Sequence, residues 1–285
     1  VLGATDTQPI RSSGEVSVLT ELSFDVEREA NRIAGFIRDS LAVAGFHRAV
    51  LGVSGGVDSA LVAALCVRAL GAENVFGMLL PCENSNPSST AHGRQIIDML
   101  AMPSAFLDIT PMYRPLLAHA PEMGSLRLGN IMSRLRMLTL YDQSVAFNGL
   151  VMGTGNRTEW LLGYFTLYGD GASALKPISH LYKCQVRALS SHLGIPDEIV
   201  HKAPSADLWE GQTDEADLGF SYDDADQILF LLTELGLDEQ AAAARGFDPR
   251  LVQAVQRTYR KTGFKRVMPA MLDTVWHSTH EEAVA

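Results

Sequence analysis

The sequence predicts an α/β fold: a doubly wound parallel sheet with helices on both faces and a C-terminal helical extension. Three observations predict it. Short apolar runs of strand length alternate with longer stretches of helical period up to Gly155. The short runs are continuously apolar, as strands buried on both sides of a parallel sheet are. Beyond Gly155 the strand signal fades while helical patterns continue.

Taken in order, residues 25–44 place Val26, Ile33, Ala34, Ile37 and Leu41 at helical spacing, and Gly45 ends the pattern. Ala49-Val50-Leu51-Gly52-Val53 reads as a buried strand that Ser54-Gly55-Gly56 breaks. Residues 57–70 read as a helix apolar on most sides, closed by Gly71. A second strand is expected over 75–80, a helix over 88–100 and a third strand over 105–109. A long helix over 128–147 leads into a fourth strand over 150–153. Residues 181–193, 222–235 and 249–261 look helical, separated by loops rich in Gly and Asp. No repeat or linker divides the chain. Residues 23–285 are therefore expected to form a single domain, with the polar stretch 1–22 a flexible lead-in.

The bulk composition bounds the function. The 285 residues are 47% hydrophobic and 20% charged, enough for a full core without disulfides or metal staples. The net charge of −10 argues against nucleic-acid or anionic-membrane partners. Cys66, Cys82 and Cys184 are widely spaced and odd in number, which suits reduced thiols. Cys82 has no His nearby in sequence to activate it and reads as incidental. No apolar run reaches membrane-spanning length, and the first residues carry no signal-peptide core, so a cytoplasmic protein is expected.

The sharpest local signal is Ser54-Gly55-Gly56-Val57-Asp58-Ser59 at a strand-to-helix junction. Two glycines let the backbone turn tightly and approach a ligand. The following helix aims its free N–H groups and positive dipole end at the loop, and Ser54 and Ser59 add hydroxyls. Phosphate is the natural occupant. The lysine of a P-loop is absent and Asp58 stands beside the site instead. A carboxylate there makes sense if a divalent cation, usually Mg²⁺, bridges it to the phosphates.

This string resembles the ATP pyrophosphatase superfamily, whose signature is SGGxDS. Its members cleave ATP between the α- and β-phosphates and activate a carboxylate or carbonyl oxygen as an adenylate. The resemblance makes Gly52, Val53, Ser54, Gly55, Gly56, Val57, Asp58 and Ser59 the ATP-binding stretch. The loop alone does not choose among the NAD, GMP, asparagine and tRNA-modifying synthetases of that superfamily.

Four further segments are similar to the NAD synthetase family. They are Asn130-Ile131-Met132-Ser133-Arg134-Leu135-Arg136-Met137; Gly153 to Glu159, followed by Gly163-Tyr164-Phe165-Thr166 and Tyr168-Gly169-Asp170; Leu181-Tyr182-Lys183; and Pro204 to Trp209 with Gly211 to Glu215. The resemblance implies Asp58 and Glu159 as Mg²⁺ ligands, Lys183 on the ATP phosphates, and Thr154 and Ser205 as further ATP contacts. Asp58, Glu159 and Lys183 form the implied catalytic set. Arg134, Asn130 and Asp170 are implied for the dinucleotide substrate, and residues 209–218 for a flap over ATP. The implied reaction amidates nicotinate adenine dinucleotide (deamido-NAD) with ammonia through an acyl-adenylate, giving NAD, AMP and pyrophosphate. The family is homodimeric, so a homodimer is expected.

Three positions depart from the ammonia-dependent pattern. Leu167 replaces a lysine, Ala174 an acid, and Phe264 a histidine, all in the family's dinucleotide-contacting set. Lys176, Lys265 or Arg266 is expected to supply the missing positive charge. The chain has no room for the amidase domain of glutamine-dependent relatives, which makes free ammonia the expected nitrogen donor and leaves a separate glutaminase subunit open. The rival readings are another SGGxDS synthetase, GMP synthetase-like, and a non-catalytic nucleotide sensor. The acidic balance argues against a tRNA enzyme, and the Asp58–Glu159 pair would have little purpose in a sensor.

Overall fold

The computed structural model describes residue 18, residues 21–205, residues 212–269 and residue 272. Four parallel strands, β1 (Ala49–Gly52), β2 (Val75–Leu79), β3 (Ser104–Phe106) and β4 (Leu150–Val151), lie in the order β3-β2-β1-β4. The chain thus winds outward from β1 to one edge and returns on its other side. Alternation within β1 explains the double covering. Ala49, Leu51 and Val53 enter one core, and Val50 enters another.

The first core is filled by helices α1 (Val26–Val43), α2 (Val57–Leu70) and α3 (Pro87–Leu100), joined later by α7 (Lys183–His192) and α8 (Asp197–Val200). In α2 every residue from Ala60 to Cys66 is buried, because sheet, α1, α3 and α7 surround it. The opposite face is covered by α4 (Thr110–His119) and α5 (Ser125–Phe147), through Ile109, Tyr113 and Met132. A third core joins α6 (Arg157–Leu162), α9 (Asp214–Leu218), α10 (Tyr222–Thr233), α11 (Glu239–Ala244) and α12 (Pro249–Lys261) around Phe220, Tyr222 and Leu251. Phe247 packs there too. This is the expected C-terminal helical extension. Of the lead-in 1–22, Val18 and Leu22 are buried in this third core, and the Val18 N–H donates to Gln227 Oε1 at 2.8 Å; residues 1–17, 19 and 20 lie outside the described residues.

The four strands and the seven helices expected from periodicity are all present. The third strand ends at Phe106 and the fourth at Val151, short of the sequence expectation. Five α-helices, α4, α6, α8, α9 and α11, escape the sequence reading for physical reasons. α4 carries Pro111 and Pro115, which read as breaks; Pro111 falls in the tolerated first turn, while Pro115 lies inside the helix. α6 and α11 are six residues long, α9 five and α8 four, all below the length at which periodicity can be recognised.

Candidate active site

Where the strand order reverses, a cavity of about 320 Å³ opens at the carboxyl ends of β1, β2 and β4. Open parallel sheets place ligands at such a reversal. The phosphate loop forms its floor. Gly55 takes φ +79°, and a Cβ there would come within 2.0 Å of the Ser89 carbonyl oxygen, so only glycine lets the loop lie against α3. The loop is held by serines: Ser59 Oγ donates to the Gly56 carbonyl at 3.0 Å and accepts from the Ser54 N–H at 3.1 Å. Gly56 begins α2 without a side-chain cap, which leaves the N-terminus of that helix facing the cavity.

Asp58, in the first turn of α2, meets two other elements. Lys183 Nζ, from the start of α7, lies 2.5 Å from Asp58 Oδ2 and 3.4 Å from Glu159 Oε1. Asn156 Nδ2 donates to Asp58 Oδ1 at 2.8 Å. Asn156 also caps α6, accepting from the Glu159 N–H at 3.0 Å while Glu159 Oε2 accepts from the Asn156 N–H at 3.2 Å. This reciprocal capping box fixes Glu159 toward Asp58 and Lys183.

The surroundings set the charges. Burial works against the Lys183 ammonium, but Asp58 and Glu159 more than offset it and hold the group above the usual lysine range. Burial and then the Asp58 charge push the Glu159 carboxyl well above the ordinary glutamate range, against the pull of Lys183. Asp214, at the start of α9, also lines the cavity. Its Oδ2 accepts from Tyr222 Oη at 3.0 Å, while its buried Oδ1 has no hydrogen-bond partner among the described residues. Burial raises its carboxyl too. Three carboxyl groups thus face one lysine in a low-dielectric corner, where crowding and burial favour a proton on one of them unless a cation joins.

The structure brings together most of the residues singled out in the sequence. Gly52, Val53, Ser54, Gly56, Val57, Asp58, Ser59, Thr154, Glu159, Asp170, Lys183 and Ser205 all line the cavity, while Gly55 shapes the loop from behind. Asp170 is fixed by Ser133 Oγ at 2.8 Å and the Thr166 N–H at 2.9 Å. Lys176 lines a small adjoining recess with Trp160, Phe165 and Asp170; its Nζ lies 4.1 Å from the centre of the Trp160 ring.

The other expected substrate contacts lie off the cavity wall. Asn130 Oδ1 accepts from Thr166 Oγ1 at 2.9 Å. Arg134 is exposed and reaches the Leu167 carbonyl at 3.3 Å. It is Arg136, two residues on, that lines the cavity, with its Nε on the Leu80 carbonyl at 2.9 Å. Lys265 Nζ donates to the Gly163 and Phe165 carbonyls at 2.7 and 2.6 Å. Arg266 donates to the Leu161 and Tyr259 carbonyls, both at 2.6 Å. Of the expected flap 209–218, residues 209–211 lie outside the described residues, 212 and 213 lead into α9, and α9 forms the rest.

Sequence reasoning missed Asn156, Asp214, Tyr222 and Lys202. Lys202 lines the cavity on the loop side, with its Nζ 2.9 Å from Ser89 Oγ. Asn156 and Asp214 lie within segments similar to the NAD synthetase family but were given no role there, and Asn156 also shows the Asn-x-x-Glu spacing of a capping box.

A family model described as NAD synthase matches residues 29–269, most of the chain and every element of the cavity. The chain belongs to the NAD synthase family. An NH(3)-dependent NAD(+) synthetase from Chlorobaculum tepidum is 44% identical over 250 residues, 88% of this chain and 90% of that one. Among solved structures, an NH3-dependent NAD synthetase from Campylobacter jejuni, in complex with a nitrate ion, has a TM-score of 0.76 at 32% identity; the match covers 88% of this chain and 100% of that one. An NMN synthetase from Francisella tularensis has a TM-score of 0.79 at 30% identity, with the same coverage. Family membership accounts for the phosphate loop at the sheet reversal, and among the described residues no helix is long and apolar enough to cross a membrane.

Proposed function

We propose that this NAD synthase family member uses ATP and ammonia to convert deamido-NAD into NAD, through an acyl-adenylate. The convergence of Asp58, Glu159 and Lys183 above the phosphate loop carries this reading. In the first step a nicotinate carboxylate oxygen attacks the α-phosphorus of ATP, and pyrophosphate leaves. In the second, ammonia adds to the acyl carbonyl, loses a proton, and AMP departs with its bond to the acyl carbon broken.

The chain supplies position and charge rather than a covalent nucleophile. The N-terminus of α2 and the loop N–H groups receive the phosphates. Lys183, held between two carboxylates, is fixed in place rather than sweeping the cavity. Thr154 and Ser205 add hydroxyls on the nucleotide. The nicotinate end would lie in the main cavity beside Phe165 and Asp170, with Lys176 and Lys265 bringing positive charge toward the substrate where Leu167 and Phe264 bring none. Arg266 fastens the turn that carries Lys265.

The donor set fits Mg²⁺. It is oxygen-only, its carboxylates outnumber the local lysine, and Asp214 Oδ1 is buried without a partner among the described residues. Among the described residues no group of three or more His, Cys, Asp or Glu stands ready as a metal site. Asp58 and Glu159 would therefore hold the ion together with phosphate oxygens and water, as Mg²⁺ sites commonly do. When bound, Mg²⁺ would neutralise phosphate charge as pyrophosphate forms. The active unit is a homodimer working in the cytoplasm.

The test is product formation from ATP and Mg²⁺ with deamido-NAD or the corresponding mononucleotide, each with ammonium or glutamine. NAD from the dinucleotide with ammonium is the expected result. Amidation of the mononucleotide alone would move the chain to the chemistry named for the Francisella relative. Pyrophosphate release from neither substrate would refute the adenylating mechanism.

A further inference from the structure

The side chains that meet above the phosphate loop come from helices with no shared sequence neighbourhood, and their alignment has a buried source. Asp226, in α10, is fully buried. Its Oδ1 accepts from Thr158 Oγ1 at 2.5 Å, and its Oδ2 accepts from the Cys184 N–H at 2.7 Å. Thr158 Oγ1 in turn accepts from the Lys183 N–H at 3.1 Å. One carboxylate thus ties the first turn of α6, next to Glu159, to the first turn of α7, at Lys183. Four residues earlier on the same helix face, the Tyr222 ring lies 5.0 Å from Lys183 Nζ, and its hydroxyl holds Asp214. α10 therefore sets both the backbone and the tip of Lys183.

We propose that Asp226 is a positioning residue for adenylation, acting through Thr158 to hold Lys183 and Glu159 in register over the phosphate loop. A carboxylate suits the place because it accepts at both oxygens, and both neighbours are donors. An amide of the same shape has one acceptor and one donor. With its oxygen on the Cys184 N–H, its NH₂ faces Thr158 Oγ1, which already accepts from Lys183, and the Thr158 hydroxyl loses its acceptor. The pair then shifts, and misplacement of about 1 Å at reacting groups costs on the order of a hundredfold in rate.

The proposal rests on the assignment of Lys183 and Glu159 to the ATP phosphates, and the experiment separates the two. Steady-state kinetics would be measured for Asp226→Asn, Thr158→Val, their double variant, Thr158→Ser and Lys183→Ala, per folded enzyme by circular dichroism below each melting temperature. Expected is a fall in kcat of about 10- to 100-fold for Asp226→Asn and for Thr158→Val. The KM for the dinucleotide stays within about twofold, since its proposed contacts lie on other elements. The double variant loses little more than either single one. Thr158→Ser keeps the hydroxyl and should stay within about threefold of the native kcat, a rescue that would also decide the matter if Asp226→Asn did not fold.

Unchanged kcat per folded enzyme in Asp226→Asn, losses that multiply in the double variant, or equal losses in Thr158→Ser and Thr158→Val would overturn the positioning role. Full activity in Lys183→Ala would instead overturn the site assignment beneath it.

Discussion

Lys183 is the lysine expected on the ATP phosphates, yet it lies between Asp58 and Glu159 and brings no net positive charge to the corner it occupies. A pyrophosphate leaving group carries several negative charges and needs a cation on the loop side. Lys202 stands there, its ammonium on Ser89 Oγ beside the tight turn at Gly55. Replacing Lys202 with Ala should raise the KM for ATP and weaken product inhibition by pyrophosphate, each by about tenfold, the scale of one charge-assisted hydrogen bond. Arginine should recover part of this. The KM for the dinucleotide should not move; a matched rise in both KM values, or unchanged pyrophosphate inhibition, would remove Lys202 from the phosphate site. Asp58, Glu159 and Lys183 were legible because each belongs to a motif. Lys202 was not, because an isolated lysine three residues before Ser205 carries no pattern until α3 is folded beside it.

At the scale of elements, the site depends on where short helices begin. α6 holds Glu159 in its first turn, and six residues cannot make a stable helix without help. Asn156 supplies that help as N-cap and also donates to Asp58 across 98 residues of sequence. Its two jobs can be separated. Asn156→Ala should lose about 1 kcal/mol of stability, a fall of about 2 °C in melting temperature for a chain of this size, with a roughly tenfold loss of kcat. Asn156→Ser should restore the melting temperature, because its hydroxyl still caps α6, but not kcat, because it cannot reach Asp58. Recovery of both by serine would mean that the contact to Asp58 is idle. The longer elements were readable from period alone: α1 through Val26, Ile33, Ile37 and Leu41, β1 through its apolar run. α6 and α4 were hidden by brevity and by proline. The contacts of Asn156, Asp214, Tyr222 and Asp226 were hidden because they close only when the third core packs against the sheet, and no local pattern encodes that meeting.

At the scale of the whole molecule, α5 presents a face that no described residue covers. Leu138 is 55% and Val145 82% exposed, with Tyr141 half-exposed between them. The spacing 134, 138, 141, 145 puts them with Arg134 on one stripe. Such a stripe suits an apolar contact with a second copy, which must outweigh the repulsion between two chains of net charge −10. The proposed homodimer is accordingly expected to form through α5, with an interface of about 1,200–2,000 Å² in total. Sedimentation of the native protein at micromolar concentration should give twice the single-chain mass of 30.9 kDa. Leu138→Glu combined with Val145→Glu should give one chain mass with unchanged far-ultraviolet circular dichroism, because both side chains are solvent-facing in the isolated fold and their loss opens no cavity. Arg134, at the end of the same stripe and on the Leu167 carbonyl, links this face to the substrate loop. The monomeric variant should therefore show a higher KM for the dinucleotide while its KM for ATP changes little. A native protein at single-chain mass, or a doubly charged variant that still pairs, would place the dimer contact elsewhere or remove it.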